Sequence, residues 1–183
     1  MKEIYLDHSA TTPLSEGVKG RMREVMEIYG NPSSLHARGN EAHEVLEHAR
    51  RQVCRTLGVR RPAPGELIFT SCGSESDNLA VLGSAFAKPR RKGMHIITTD
   101  SEHPGVESAM KALETQGFEV IRIRTRGGEL DWEQYDEALG SRVFLVSMMM
   151  VNNETGALYD VGRAFSMAKA RNPDIVTHTD AVQ

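Results

Sequence analysis

Apolar residues recur along this chain with two different periods, and the switches between them mark out its elements. After Ser15, the residues Val18, Met22, Val25 and Met26 share one face at helical spacing, and Ser15 can cap the helix they define. Tyr29-Gly-Asn-Pro-Ser-Ser34 then breaks the pattern with turn-forming residues. A longer helix is predicted next, with Ala42, Val45, Leu46, Ala49, Val53 and Leu57 as its buried stripe and Gly58 as its stop. Cys54 lies beside that stripe and reads as packing, and Arg60-Arg-Pro-Ala-Pro-Gly65 reads as a loop.

From Glu66 onward, short apolar runs alternate with helical ones. The runs predict strands near 67–70, 95–98, 120–123, 143–148 and 175–179, and helices near 75–86, 106–116, 132–139 and 161–171. Asp131, with Gln134 three positions later, forms a capping box for the third of these helices. Strands alternating with helices specify an α/β fold with a mainly parallel sheet flanked by helices. No internal repeat or low-complexity tract interrupts it. Residues 1–35 are expected as an N-terminal helical segment with a loop, and residues 36–183 as the α/β domain.

In an open α/β sheet, ligands bind in the crevice beyond the carboxyl ends of the strands. The polar residues follow that rule: Ser71-Cys-Gly-Ser74, Glu102-His103, Asn152-Asn153 and Asp180 each come just after a predicted strand. Ser71-Cys-Gly-Ser74 leads into a helix, where free backbone N–H groups and the positive helix end suit an anion. Gly73 allows close backbone approach and Ser74 adds a hydroxyl, although an ordinary N-cap with Glu75 in the first turn accounts for the string equally well. Neither a Walker loop nor a dinucleotide fingerprint is present. Asp180 ends an apolar run, where a carboxylate needs a partner. A pyridinium nitrogen is one such partner and a nearby turn is another. His103 suits stacking on an aromatic cofactor, or simply capping the helix that begins near Pro104.

Composition narrows the function classes. A formal charge of −3 over 183 residues provides no basic face for nucleic acid. The clusters Arg60-Arg61 and Lys88, Arg90, Arg91 and Lys92 are short, interrupted by proline, and read as solvated loops. No run approaches the roughly 20 apolar residues of a membrane span, and the first seven residues lack the apolar stretch of a secretory signal. Two cysteines imply no disulfide framework, so a reducing compartment, the cytoplasm, is expected. His43 and His48 are five apart and lie on different sides of a helix, which argues against a metal site there.

Six segments carry a resemblance across essentially the whole chain: Tyr5-Leu-Asp-His-Ser-Ala-Thr-Thr-Pro13, Gly30-Asn-Pro-Ser-Ser-Leu-His36, Phe69-Thr-Ser-Cys-Gly-Ser-Glu-Ser-Asp-Asn78, Glu102-His103, Val151-Asn-Asn-Glu-Thr-Gly156 and Asp180-Ala-Val-Gln183. In order and spacing they resemble the NifS/IscS-like cysteine desulfurases of the class V aminotransferase group. The resemblance implies an incomplete pyridoxal 5′-phosphate (PLP) domain of fold type I at 36–183, with the C-terminal small domain outside the chain. It implies that Gly73 and Ser74 bind the cofactor phosphate, with Ser where the family more often has Thr. It further implies that His103 stacks on the ring and moves protons, Asp180 pairs with the pyridine nitrogen and Gln183 donates to the phenolic oxygen. Asn153 would lie near cofactor and substrate carboxylate, and Ala10, Thr11 and Asn31 would line the substrate pocket.

The implied reaction converts L-cysteine to L-alanine and passes sulfur to a protein cysteine as a persulfide. The sulfur would then reach an acceptor such as an iron–sulfur scaffold, and the protein would be a homo-oligomer. None of Lys2, Lys19, Lys88, Lys92, Lys111 or Lys169 stands in the Ser-x-His-Lys context of the family's cofactor-linking lysine. The acceptor cysteine is not matched either: Cys72 precedes a helix, which favours reactivity, but not at the family's acceptor position. These 183 residues are therefore expected to be inactive alone. A selenocysteine lyase, an aminotransferase, or a non-catalytic remnant binding PLP or a partner remain the alternatives.

Overall fold

The computed structural model describes residues 4–59, 66–87 and 94–183, so both basic clusters and the expected 60–65 loop lie outside the described residues. The chain divides into two compact units, Met1–Phe69 and Thr70–Gln183.

The first unit holds α1 (Glu16–Met26) and α2 (Ala37–Thr56). Ser15 caps α1 as expected, its Oγ accepting from Val18 N at 3.3 Å. The expected buried stripe of α2 is corrected. Among the described residues of α2 only Gly39 and Cys54 are buried, while Val53 and Leu57 are 38% and 67% exposed. The periodicity located an apolar face correctly, but within this unit nothing covers it fully. A strand near 67–70 is also absent. That stretch pairs with no neighbouring strand, and Ile68 and Phe69 stay exposed; an apolar run becomes a strand only where another strand completes its ladder.

The second unit is the α/β fold that the alternation predicts. Its strands β1 (His95–Thr99), β2 (Glu119–Ile123), β5 (Val143–Ser147) and β6 (Val176–His178) form one sheet in the order β2-β1-β5-β6, every pair parallel. Helices α3 (Gly73–Phe86), α4 (Pro104–Thr115), α5 (Trp132–Ala138) and α6 (Val161–Arg171) complete it. A short hairpin, β3 (Thr125–Arg126) and β4 (Glu129–Leu130), was not anticipated. Its signal was the Gly127-Gly128 pair, whose positive φ values of 60° and 87° suit a two-residue hairpin turn.

Two apolar layers sandwich the sheet. On one face Ile96, Phe144 and Leu145 pack with Val81 and Ala85 of α3 and with Val106, Met110 and Leu113 of α4. On the other, Ile97, Val143 and Val146 pack with Tyr135 of α5 and with Ala164 and Ala168 of α6. Adjacent residues Ile96 and Ile97 serve opposite layers, as the period of two requires. Phe144 and Leu145 serve the same layer because the β1–β5 register shifts there: His95 pairs with Val143 but Ile96 with Leu145.

The capping box at Asp131 forms only in part. Asp131 Oδ1 accepts from Gln134 N at 3.0 Å, but the Gln134 amide instead accepts from Arg124 N and donates to Arg122 O. Tyr135, fully buried, donates to Ala164 O at 2.6 Å, fastening α5 to α6. Tyr135→Phe keeps the ring and strands that carbonyl, so urea unfolding is expected to show a loss of about 1–2 kcal/mol. Among the described residues, no helix is long and apolar enough to cross a membrane.

Candidate functional site

The chain winds from β1 through α4 to β2 on one side of the sheet, and from β5 through α6 to β6 on the other. The direction reverses between β1 and β5, and the crevice of such a sheet opens at that switch point. The residues following β1, β5 and β6 all emerge at this carboxyl edge.

Helix α3 points its N-terminus at the same place. Cys72 is its N-cap but makes no side-chain capping bond. The backbone N–H groups of Gly73, Ser74 and Glu75 therefore have no partner among the described residues. Glu75 does stand in the first turn, yet its carboxylate turns back to accept from Ser71 N and Ser71 Oγ, both at 2.6 Å. Those bonds hold its pKa below the usual range.

Two contacts place this turn. A Cβ added at Gly73 would meet Val182 Cγ2 at 3.2 Å, so the turn abuts the segment leaving β6. A Cβ added at Gly105 would meet Ser74 Oγ at 2.9 Å and His103 Nδ1 at 3.2 Å, so the Ser74 hydroxyl lies against the start of α4. Gly105→Ala must displace that hydroxyl, and a phosphate-bearing ligand held by it is expected to bind about tenfold more weakly, the loss of one hydrogen bond to a charged group. An equilibrium titration of wild type against variant measures this.

His103 is the N-cap of α4: its Nδ1 accepts from Gly105 N at 3.0 Å. In the neutral ring the proton therefore sits on Nε2, and the side chain is exposed. Capping does occupy this histidine, and it leaves the ring face and Nε2 available.

Asp180 is buried, with Oδ1 accepting from Val182 N at 3.1 Å and its carbonyl accepting from Met150 N at 2.8 Å. The residue before that amide anchors a second acid. Glu102 Oε1 accepts from Met149 N at 3.0 Å and from Thr99 Oγ1 at 2.6 Å, while Oε2 is buried with no hydrogen-bond partner. Burial pushes the Glu102 carboxyl up to about 7, against the bonds from Thr99 and Met149, with the charge of Asp180 adding to the rise. A third acid, Asp77, is pushed up to about 6 by burial and by Asp180, with His103 opposing. Asp77, Glu102, Asp180 and His103 thus share one electrostatic neighbourhood.

The structure brings Gly73, Ser74, His103 and Asp180 together in this way. Gln183 lies exposed three residues beyond Asp180. Asn153 is half-buried and makes no hydrogen bond with the described residues. Its neighbour Asn152 carries the structural work. Asn152 Oδ1 accepts from Glu154 N, Thr155 N and Thr155 Oγ1, and Nδ2 donates to Ser101 O, tying the loop after β5 to the loop after β1. Sequence reasoning named Asn152 only as part of a pair; the Asn-x-x-Thr-Gly string is the turn signal that separates its job from that of Asn153. The burial of Asp77 and of the Glu102 Oε2 atom was also missed, since a helical Asp and a loop Glu look like surface residues in sequence.

Ala10, Thr11 and Asn31 belong to the first unit. Ala10 and Thr11 close a turn on Asp7 O, and Thr11 lines an open pocket of about 540 Å³ with Tyr5, His8, Thr12 and Pro13. Asn31 Oδ1 accepts from Ser33 N at 2.9 Å. Among the described residues no cluster of three or more His, Cys, Asp or Glu could hold a metal ion.

Residues 4–183 match the family described as aminotransferase class-V. The chain is 40% identical over 185 residues to a cysteine desulfurase of Trichormus azollae, covering all of this chain and 44% of that protein. It is equally similar, with the same coverage, to the cysteine desulfurase NifS of Azotobacter vinelandii. Among solved structures, a NifS-like protein superposes with a TM-score of 0.92 at 37% identity, covering 100% of this chain and 49% of that one. A structure of SspA in complex with cysteine superposes at 0.87 with 35% identity, covering 98% of this chain and 50% of that one. The chain thus spans about half the length of the relatives it matches.

Proposed function

This chain belongs to the class V aminotransferase family, and on that premise we propose that it forms the PLP-binding part of a cysteine desulfurase. The observation that carries the reading is the convergence of an uncapped helix start, a hydroxyl and a buried carboxylate on the switch-point crevice. Their chemistry fits the cofactor. The N–H groups of Gly73, Ser74 and Glu75 with the Ser74 hydroxyl suit a phosphate. Asp180 Oδ2 accepts no hydrogen bond from the described residues and suits a protonated ring nitrogen.

When bound, the cofactor supplies an electron-withdrawing ring that stabilises negative charge on the substrate carbon. The chain's own residues hold and tune it. Asp180 would keep the ring nitrogen protonated, His103 would offer its ring face and hold a proton at Nε2, and Gln183 would donate to the phenolic oxygen. Asn153 offers its amide to cofactor and substrate, with Ala10, Thr11 and Asn31 serving the substrate pocket. The substrate is L-cysteine. Its sulfur passes to a cysteine thiolate as a persulfide, alanine leaves, and an acceptor protein such as an iron–sulfur scaffold takes the sulfur onward. The working protein is a homo-oligomer.

Titration with PLP, followed by its absorbance, tests the site: saturable binding is expected, with pyridoxal lacking the phosphate binding far more weakly. Equal affinity for the two would sink the phosphate assignment. These 183 residues alone are expected to release neither alanine nor sulfide from L-cysteine. Mixed with the remaining half of the Azotobacter vinelandii NifS, they are expected to form alanine. An oxo-acid product without sulfide would favour a transaminase instead.

A further inference from the structure

Asp77, Val81 and Ala85 are the three buried residues of α3, spaced four apart on one face. A carboxylate therefore stands where the helix otherwise presents apolar groups to the sheet, and only 4% of it is exposed. Its partner is His178, the last residue of β6, with Nε2 3.6 Å from Asp77 Oδ1. The other ring nitrogen of His178 lies 2.9 Å from Ser147 Oγ, fully buried at the end of β5. The three residues link α3, β6 and β5, and none of them belongs to the set that would contact a cofactor.

The position of this link is informative. Asp77 lies one turn beyond Ser74 on the helix whose start faces the crevice. His178 lies two residues before Asp180, so the two side chains leave the extended chain on the same face. The Gly73–Val182 contact closes α3 against the same segment from its other end. We propose that Asp77 and His178 are a proton-sharing positioning pair that fixes the anion-binding turn of α3 relative to Asp180, making the site's affinity for a phosphorylated pyridine depend on pH. The proposal rests on the PLP reading above.

The groups facing the pair are few. From α4 it meets His103, from the β6 exit Asp180, and from β5 only the Ser147 hydroxyl; Glu102 reaches it through Asp180. Burial lowers the His178 pKa while Asp180 opposes, and Asp77 is raised to about 6. Both groups therefore titrate on the acidic side of neutrality, each while facing the other. With His178 doubly protonated, its Nδ1–H donates to Ser147 Oγ and the charged ring forms an ion pair with the Asp77 carboxylate 3.6 Å from Nε2. When that proton is lost, the carboxylate keeps its charge, one donor disappears and the tie between α3 and β6 slackens.

Two measurements on the full 183-residue chain test this. In the ligand-free protein, the NMR titration of His178 is expected to move down by about one pH unit in Asp77→Asn, because the carboxylate favouring the charged ring is gone. An unchanged titration overturns the pair, whether or not PLP binds. PLP affinity is then measured from pH 5.5 to 8.5 in wild type, Asp77→Asn, His178→Gln and the double variant. Each single variant is expected to bind about tenfold more weakly near pH 5.5, where wild-type His178 still holds its extra proton, and to flatten the pH profile, with the double variant no worse than either, as coupled partners require. Additive losses with an unaltered profile overturn the link to the site. A wild-type chain that fails to bind PLP while the His178 shift is present removes the cofactor reading and, with it, the link to affinity, and leaves the pair standing.

Discussion

Asp180→Asn is expected to weaken PLP binding by about 100-fold, or ~3 kcal/mol, at pH 7.5, because it removes the charged partner of a buried ion pair and leaves the other charge uncompensated. The substitution is nearly isosteric. Asparagine can still accept from Val182 N through its oxygen, so the chain turn after β6 is retained. What it cannot do is accept from a protonated ring nitrogen with a negative charge. A titration with PLP gives the ratio of affinities, and the variant's thermal unfolding shows that the fold is intact. A second readout is internal to the protein. Glu102 and Asp77 are both raised in part by the Asp180 charge, so both carboxyls should titrate at lower pH in the variant. Wild-type affinity in Asp180→Asn would mean that the ring nitrogen lies elsewhere.

Glu102→Gln should change the pH dependence of stability by a similar amount. The folded-state pKa of Glu102 is raised to about 7, from an ordinary value of 4.5. A raised acid binds its proton more tightly in the folded state, so its stabilising effect is full below pH 4.5 and is lost as pH rises through 7. At 1.36 kcal/mol per unit, the wild-type protein loses about 3 kcal/mol through this one group between pH 4.5 and 8. Asp77 acts in the same direction over a lower window, ending near 6. His178, with its lowered pKa, acts oppositely: it costs stability as pH falls below 6.5. Subtracting the variant's unfolding curve from that of wild type isolates Glu102. Glutamine keeps the acceptor for Thr99 and Met149, so the difference should widen in the variant's favour from pH 5 to pH 8. Parallel curves would place the Glu102 carboxyl in an unperturbed environment.

Much of this architecture was legible because the physics that formed it is local. The runs 96–99 in β1 and 143–146 in β5 are continuously apolar or β-branched, as strands covered on both faces must be, and Ser15 and Asp131 cap the helices they precede. The run near 67–70 looked no different, and its failure to become a strand reflects the absence of a partner, which no window of sequence contains. The stripe on α2 shows the same limit, since periodicity identifies an apolar face without saying what covers it. At the site, His103 and Asp180 were found because each follows a strand toward one edge, and Ser74 because it opens a helix after a Gly, although the strand expected before it does not form. Asp77 was not, and Glu102 was placed at that edge without its buried oxygen or raised pKa. What makes them acids of unusual strength is the company they keep across the fold, and neighbouring letters do not encode that.

The cap on α4 constrains how His103 can handle protons. Its vacant lone pair is the one already spent on Gly105 N, while the nitrogen facing outward is already protonated. Accepting a further proton requires Nδ1 to release Gly105 N first, and only the doubly protonated ring so formed can give one up from Nε2 without becoming an imidazolate. Proton transfer by this side chain is therefore geared to unbuttoning the first turn of α4, and a reaction cycle that uses it must flex that turn once per round.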